Sequence, residues 1–356
     1  MEKLELNSGI EVKLPQIEGF RGWDAADEYI LSQEITDGVT LVIGDSYGAL
    51  TCGIKGEVIS FTQSVLSESA IKEAVLLNGS SVRVINNLTE LPDRVDTIVL
   101  KLSKYIDLLE YYLQILGAKY KGAKFIAGGM VKYMPISMVR LVESYFSDVT
   151  TSLAKKKSRL IYGTAGDNAE KKTVFPKSYK TDLDLEVTSF PGVFSSEHLD
   201  IGTRFLIENM PKGRHGSILD LGCASGVLGL TAKKLNPDAN VILTDESYLA
   251  VESAKESFKR NGLDGEFLAM DVLKGYSSDS VDIILCNPPF HQGNRVLTDI
   301  AIQMFKQSRK VLKRGGTLFV VANKHLGYHK KLRETFHNLK RVAENEKFII
   351  FSVRKV

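Results

Sequence analysis

The sequence predicts two tandem α/β domains, each built on a mostly parallel sheet with helices on both faces. One observation is the length, because 356 residues exceed one ordinary hydrophobic core and suit two. A second is that an apolar run enters a glycine-punctuated turn twice, in TLVIGDSYGAL from Thr40 and in SILDLGCASGVLGL from Ser217. A third is that strand and helix patterns alternate after each turn, which is typical of parallel strands joined by right-handed crossovers.

The correspondence between the two halves continues in the same order along the chain. ISFTQSVLSESAIKEAVLLNG matches LTDESYLAVESAKESFKRNG, and each segment predicts a strand followed by a helix that ends at a glycine, Gly79 or Gly262. VDTIVLKLSKY then matches VDIILCNPPFH, and KGAKFIAGGMVKYM matches RGGTLFVVANKHLGYH. Four matching segments favour a tandem duplication.

The domain boundaries are predicted where this rhythm is lost. Residues 1–152 form the first predicted domain and residues 181–356 the second, while the charged and polar stretch 153–180 is predicted to be a linker. At the C-terminal end, HNLKRVAENEKFIIFSVRKV indicates two strands around a polar turn without a crossover helix. We therefore expect an antiparallel hairpin at the edge of the second sheet.

Composition excludes several classes of protein. With 44% hydrophobic and 25% charged residues the chain is typical of a globular protein, and it has neither a signal-peptide pattern nor a long apolar run, so we expect a cytoplasmic protein without a membrane segment. The three cysteines are widely spaced and lack a zinc-binding pattern, so we expect buried free thiols and no metal site. The net charge of +3 excludes a general polycation, although local basic clusters such as residues 155–157 could contact phosphates or form a solvated face.

The loop DLGCASG follows the first strand of the second half and is a candidate cofactor site. It begins at Asp220, and Gly222 and Gly226 would allow the backbone to approach a ligand at the N-terminus of the next helix. Asp245, at the end of the second strand, could accept hydrogen bonds from ribose hydroxyls, and Asp271, after the third, could meet an adenine. A plain turn, an NAD-binding loop and helix-capping carboxylates are the alternatives.

The tetrapeptide Asn287-Pro288-Pro289-Phe290 follows the apolar run DIILC and is the candidate catalytic motif. Two prolines stiffen the loop and remove two backbone donors. The carbonyls of Asn287 and Pro288 could then accept both N–H groups of an exocyclic amine, while Phe290 offers a face on which a base can stack. A rigid turn with Phe290 in the core is the alternative, and we assign no proton-transfer role to His291.

This arrangement suits methyl transfer to a nitrogen, because orientation and proximity supply most of what such a displacement needs. The base would have to lie in a loop or be flipped from its helix. The first half has Val42 where the second has Asp220, Gln63 where it has Asp245, and LKLSK in place of CNPPF. We therefore expect a non-catalytic first domain that serves substrate binding or packing.

These motifs resemble the class I, Rossmann-like methyltransferases that depend on S-adenosylmethionine. Within that class the chain is similar to the bacterial ribosomal RNA guanine-N2 methyltransferases with two tandem methyltransferase-like domains. The resemblance rests on FPGVFSSEHLDIGTRFLI, DLGCASGVLGL, TDES, CNPPFHQ and VANKHLGYHKKL, which span most of residues 187–352. CNPPFHQ, the LTD at 297–299 and VANKHL are more similar to the large-subunit branch than to the small-subunit branch.

The resemblance implies N2 methylation of a guanosine in ribosomal RNA, with S-adenosylmethionine as cofactor and ribosomal RNA or a ribosomal subunit as partner. By matching motif, Gly222 and Gly226 would contact the cofactor, Asp245 its ribose and Asp271 its adenine. The candidate cofactor set also includes Asp220 and Asn287, and Asn287 would in addition hold the target amine. The segment 193–202 would cover the cofactor, and the first domain would help to recognise RNA.

One residue departs from the pattern of the family. Members often have glycine where this chain has Ala224, so a positive φ there would strain the alanine by about 1 kcal/mol. Other functions also fit the tetrapeptide: small-subunit RNA, adenine N6 or a glutamine amide as substrate, or an inactive RNA-binding assembly factor. An NAD-dependent dehydrogenase fits the glycine loop but not the Asn-Pro-Pro-Phe motif.

Overall fold

The structure is a computed structural model that describes the chain except for residues 7, 8, 10, 17–20, 36, 37, 171 and 290–294 and the side chains of 295–298. The described chain divides into two compact units, Met1–Phe175 and Pro176–Val356. Each unit contains a seven-stranded, mostly parallel sheet with helices packed against it. The predicted fold class is therefore confirmed.

The first unit has the sheet order β5-β4-β3-β6-β7-β9-β8, in which β9 runs antiparallel to both of its neighbours. A separate antiparallel pair, β1 and β2, precedes it. The elements are β1 (Glu2–Glu5), β2 (Glu11–Leu14), α1 (Ala25–Leu31), β3 (Val39–Ile43), α2 (Ala49–Gly53), β4 (Glu57–Phe61), α3 (Val65–Asn78), β5 (Arg83–Ile85), β6 (Thr97–Lys101), α4 (Ile106–Lys119), β7 (Lys124–Met130), α5 (Ile136–Tyr145), β8 (Ser147–Thr151) and β9 (Ser158–Thr164).

The second unit repeats this arrangement with the order β14-β13-β12-β15-β16-β18-β17. Its antiparallel pair of β10 and β11 precedes the sheet, and the predicted terminal hairpin is confirmed as β17 and β18. The elements are β10 (Lys177–Lys180), β11 (Glu186–Ser189), α6 (Ile201–Glu208), β12 (Gly216–Leu221), α7 (Val227–Leu235), β13 (Ala239–Asp245), α8 (Tyr248–Arg260), β14 (Glu266–Ala269), β15 (Val281–Cys286), α9 (Arg295–Val311), β16 (Leu312–Asn323), α10 (Tyr328–Phe336), β17 (Lys340–Glu344) and β18 (Phe348–Arg354).

The central strands are apolar at successive positions because both faces of the sheet are covered. Ile218 and Leu219 are neighbours on β12, yet their side chains belong to two different cores, as the alternation of a strand requires. One core includes Phe305 from α9, and the other includes Phe258 from α8. Packing on both faces thus holds β12 in the middle of the sheet.

The predicted helix ends at Gly79 and Gly262 are confirmed. Both glycines have the left-handed conformation, with φ of 60° and 63°. The N–H of Gly79 donates to the carbonyl of Leu76, and that of Gly262 donates to the carbonyl of Lys259. A residue with a Cβ would be strained at either position.

The stretch predicted to be a linker, 153–180, requires correction, because it contains a strand of the first sheet. Strand β9 pairs along its whole length with β7, from Thr164 opposite Lys124 to Ser158 opposite Met130. The lysine run before it forms the hairpin turn, in which Lys156 and Lys157 have positive φ. A short apolar run beside three charges lacks a clear strand pattern, so the sequence did not reveal that the first sheet ends in the same hairpin as the second.

Candidate active site

Three loops leave the second sheet side by side at its carboxyl edge. Leu221, the last residue of β12, pairs with Thr244 of β13 and with Cys286 of β15. The segments that begin at Gly222, Asp245 and Asn287 are therefore neighbours in space. This edge is where parallel α/β sheets bind their ligands.

The two loop glycines are required for different reasons. Of the residues that the structure describes, an added Cβ on Gly222, at φ 75°, would meet only the methyl group of Met304, at 3.4 Å. An added Cβ on Gly226, at φ 80°, would lie 2.7 Å from the Cβ of Ala254 on α8. Gly226 is thus required by the packing of two helices, while Gly222 leaves open space at the sheet edge.

Asp220 is fully buried beneath this loop. Its Oδ2 accepts a hydrogen bond from the N–H of Gly229 at 2.8 Å, and its Oδ1 has no partner among the described residues. Burial raises the pKa of this carboxyl to about 7, against the lowering effect of the Gly229 N–H. A buried oxygen without a partner is costly in a folded protein and suits a donor from a bound ligand.

Asp245 shapes the same loop from the neighbouring strand. Its Oδ2 accepts from the N–H of Ala224 at 2.9 Å and its Oδ1 from the N–H of Ser247 at 3.0 Å. Burial raises its pKa, while these backbone donors lower it. Each carboxylate oxygen can accept a further hydrogen bond, so the group can still receive two ribose hydroxyls. Asp271 lies two residues beyond β14, whose last residue, Ala269, pairs with Asp245.

Asn287 projects from the end of β15, and only one end of its side-chain amide is satisfied. The Nδ2 donates to Oγ1 of Thr203 at 2.8 Å and lies 3.4 Å from Oδ2 of Asp200. The Oδ1 is buried and has no partner in the part of the chain that is described. Within the described part of the chain, the amide therefore keeps an unpartnered carbonyl acceptor at the edge where the glycine loop begins.

The proline loop is anchored by a buried tyrosine. Tyr328 on α10 donates from its hydroxyl to the carbonyl of Pro289 at 3.3 Å, and its ring packs edge-on against Phe305 with centroids 5.5 Å apart. Burial raises the pKa of this phenol to about 12, so it remains a donor at neutral pH. Pro288 is buried next to it. Phe290 and His291 lie outside the described residues, so the stacking role of Phe290 stays a prediction.

Sequence reasoning missed Thr203 and Tyr328 as parts of this site. Asp200 followed by Thr203 reads as a helix N-cap pattern, and the structure has this cap, because Asp200 accepts from the N–H of Thr203 at 2.9 Å. Nothing in that local pattern indicates contact with Asn287, which is 84 residues further along the chain than Thr203. The segment 193–202 leads into this cap, with Val193 buried and Phe194 59% exposed.

The carboxyl edge of the first sheet differs from that of the second, and the sequence indicated only part of this difference. Asp45 in its loop accepts from the N–H of Gly48 at 2.9 Å and from the N–H of Thr51 in α2 at 2.8 Å, so a carboxylate of this loop is turned toward the helix that follows. One detail of the predicted pairing is wrong. Ser64 and Ser247 each cap the helix that follows, so they are equivalent positions. Asp245 lies two residues before Ser247, and the residue two positions before Ser64 is Thr62. Thr62, and not Gln63, is therefore the counterpart of Asp245.

Cysteines and ionisable clusters add no further site. Cys223 and Cys286 are buried and Cys52 is partly exposed, and all three are free. Among the described residues, no three His, Cys, Asp or Glu side chains are grouped to hold a metal ion, and no helix there is long and apolar enough to cross a membrane.

Both units match known protein families. The methyltransferase small domain matches residues 184–352, and the RLMG N-terminal domain matches residues 12–167. A ribosomal RNA large subunit methyltransferase G from Klebsiella pneumoniae strain 342 is 38% identical over 95% of this chain and 93% of its own length. One from Pseudomonas putida strain KT2440 is 38% identical over 94% of each chain. The resemblance drawn from the motifs is confirmed.

A solved structure that is similar over the whole chain is that of the T. thermophilus 16S rRNA N2 methyltransferase RsmC in complex with AdoMet and guanosine. It has a TM-score of 0.79 and covers 100% of this chain and 98% of its own. At 21% sequence identity it shows that the fold is shared.

Proposed function

The chain belongs to the ribosomal RNA large subunit methyltransferase G family, and from that premise we propose that it methylates the exocyclic N2 amine of a guanosine in large-subunit ribosomal RNA. The methyl donor is S-adenosylmethionine. The partner is ribosomal RNA or a ribosomal subunit, and such a substrate implies a cytoplasmic location. The relatives favour the large-subunit substrate over the small-subunit alternative.

The observation that carries this proposal is the free carbonyl of Asn287. Its Oδ1 is a buried acceptor without a partner among the described residues, and an exocyclic amine is a donor of matching chemistry. It lies beside the glycine loop because β15 and β12 end side by side.

The residues at this edge also fit the cofactor. Among the described residues, Asp220 has a second buried oxygen without a partner and Gly222 leaves space that a Cβ would enter, and Asp245 retains lone pairs for ribose hydroxyls. We propose that Asp220, Gly222 and Asp245 hold S-adenosylmethionine, with Asp271 at its adenine. Gly226 contributes by allowing α7 and α8 to pack closely behind the loop.

The chain's own contribution to the reaction is to hold and orient the amine. When bound, S-adenosylmethionine supplies an electrophilic methyl group. The Oδ1 of Asn287 accepts one N–H of the amine and the carbonyl of Pro288 accepts the other, which turns the nitrogen lone pair out of conjugation. Tyr328 keeps the proline loop in place through Pro289. Proximity and orientation of this kind account for most of the acceleration that such a displacement needs.

We propose that the first unit is non-catalytic and contributes to RNA recognition. It has Val42 and Thr62 where the second unit has Asp220 and Asp245, so it lacks the two carboxylates that the second unit offers to the cofactor.

The decisive experiment replaces Asn287 by alanine. With ribosomal RNA from cells that lack the gene as substrate, Asn287→Ala should lower kcat by about 10²–10³-fold, the usual effect of removing one preorganised polar contact. The affinity for S-adenosylmethionine and the melting temperature should change little. Asn240→Ala, at an exposed position on β13 of the same sheet, is the matched control.

Activity of Asn287→Ala within a few-fold of the unmodified protein would overturn the assigned role. Mass spectrometry of nuclease fragments of large-subunit ribosomal RNA should show one fragment that carries N2-methylguanosine in cells with the gene and unmodified guanosine in cells without it. A different methylated nucleoside would show that the substrate is another amine and not the N2 amine of guanine.

A further inference from the structure

The N-terminal turn of α6 contacts the side chain of Asn287 through two polar groups. Thr203 is buried, with 5% of its surface exposed, and its Oγ1 lies 2.8 Å from Nδ2 of Asn287 and 3.2 Å from Oδ2 of Asp200. Asp200 caps α6 and is fixed there by the N–H of Thr203 at 2.9 Å. The three side chains form one continuous hydrogen-bonded chain.

The direction of every hydrogen bond in this chain follows from the carboxylate. An ionised Asp200 can only accept, so the hydroxyl proton of Thr203 points to it. The lone pairs of Thr203 Oγ1 are then left for Asn287, and they require the NH2 end of the amide. The carbonyl end must therefore point away from Thr203 and Asp200, which leaves it available to a substrate amine.

Without this chain the two ends of the amide would be nearly equivalent in shape. A rotated amide would place its carbonyl against the oxygens of Thr203 and Asp200 and would present donors to an amine that itself donates. We propose that Thr203 and Asp200 are positioning residues that lock Asn287 with its carbonyl toward the substrate amine. This inference rests on the proposed function, because it assigns a role within the same site.

Three variants test the chain of bonds. Thr203→Val keeps the shape and removes the hydroxyl, and it should lower kcat 10–100-fold while the dissociation constants for S-adenosylmethionine and RNA stay within about two-fold. Thr203→Ser restores the hydroxyl and should recover kcat to within about three-fold. Asp200→Asn keeps a good N-cap, so the melting temperature should change little. The new amide at position 200 can turn either its carbonyl or its NH2 group toward Thr203, so the hydroxyl of Thr203 is no longer fixed and kcat should fall.

A double-mutant cycle separates positioning from a general structural effect. In an Asn287→Ala background, Thr203→Val should cause almost no further loss of kcat, because the residue it orients is gone. Thr317→Val, on β16 of the same sheet and opposite Ile283, is the matched control and should change kcat less than two-fold in either background. A loss from Thr203→Val that persists in the Asn287→Ala background would overturn the inference, and so would an unchanged kcat in the single variant.

A second measurement does not depend on activity. The side-chain NH2 protons of Asn287, observed by NMR, should exchange slowly with solvent and should lose this protection at least ten-fold in Thr203→Val. Fast exchange in the unmodified protein would overturn the hydrogen-bonded chain itself. Protected protons together with no methyl transfer to guanosine would instead reject the proposed function and leave the chain intact.

Discussion

Lys101 in the first unit occupies the strand position that Asn287 holds in the second. Leu100 pairs with Ile43 on the central strand of the first sheet, just as Cys286 pairs with Leu221 in the second, and Lys101 and Asn287 each follow directly. The amide of the second unit is thus replaced by a cation that cannot accept a hydrogen bond.

The partners of Lys101 also correspond to those of Asn287. Its Nζ lies 2.6 Å from Oδ1 of Asp24 and 2.6 Å from Oδ1 of Asp27. Asp24 is the N-cap of α1 and Asp27 is three residues further on, as Asp200 and Thr203 are in α6. Where the second unit has an amide with an unpartnered carbonyl among the described residues, the first unit therefore has an ion cluster of Lys101, Asp24 and Asp27.

Lys101→Met should destabilise the first unit by about 3 kcal/mol, because it leaves two carboxylates without their buried partner. Burial already raises the pKa of Asp27 to about 6 despite the attraction of Lys101. Removing the lysine would raise that pKa further, so the loss of stability should be larger at pH 8 than at pH 5. Urea unfolding followed by the fluorescence of Trp23, the single tryptophan of the chain, measures the first unit selectively.

Lys3→Met is the comparison variant for this test, since the Lys3–Glu11 pair is exposed on the same unit. It should cost less than ~1 kcal/mol. Equal unfolding free energies for the two variants would show that the Lys101 cluster contributes no more than a surface ion pair.

Ala224→Gly should stabilise the second unit. Ala224 has a φ of 49°. A positive φ is the condition under which we expected this alanine to be strained. An L-residue in this region is strained by about 1–2 kcal/mol, while glycine adds about 0.4–1 kcal/mol of unfolded-state entropy, so a net gain of about 0.5 kcal/mol is expected. The hydrogen bond from residue 224 to Asp245 uses the backbone and is retained.

Calorimetry with and without S-adenosylmethionine measures this gain on the transition that the cofactor shifts. The melting temperature should rise by about 1–2 °C, and the affinity for the cofactor should not fall. Ala232→Gly, inside α7, should instead destabilise by about 1 kcal/mol. A lower melting temperature for Ala224→Gly would show that the loop does not strain the alanine.

The sequence was sufficient to predict which strands carry the site. Parallel strands joined by crossovers end at one edge, so residues that directly follow apolar runs, such as Asp245 and Asn287, are predicted to meet. The same reasoning does not predict the contacts that residues of a helix cap make. Thr203 meets Asn287 only because α6 packs against the sheet, and that packing leaves no periodic pattern in the sequence.

Two other differences between the sequence-based prediction and the structure have tertiary causes. A glycine pattern does not reveal what its missing Cβ would contact, so Gly226 could not be assigned to the packing against Ala254 before the helices were placed. Strand β9 was missed because its apolar residues are few and follow the lysine turn at 155–157. In both cases a tertiary neighbour, not the local pattern, determines the role of the residue.

Asp220→Asn should remove a pH-dependent loss of stability from the second unit. The pKa of Asp220 is raised by burial to about 7 in the folded state, from an ordinary value of 3.8. Between these values the folded protein retains a proton that the unfolded chain has lost, so its stability falls as pH rises, by at most about 1.4 kcal/mol per pH unit. An asparagine at this position does not titrate and can still accept from the N–H of Gly229.

Relative to Asp220→Asn, the unmodified protein should therefore lose melting temperature as pH rises from 5 to 7, and the difference should level off above about pH 8. Calorimetry of both proteins across this range, without cofactor, measures the effect directly. Glu252→Gln removes an exposed carboxylate from α8 and should leave the profile parallel to that of the unmodified protein. The melting temperature of Asp220→Asn could also change with pH in parallel with that of the unmodified protein. The buried carboxyl would then have to titrate near its ordinary value, and its unpartnered oxygen would have to be hydrated.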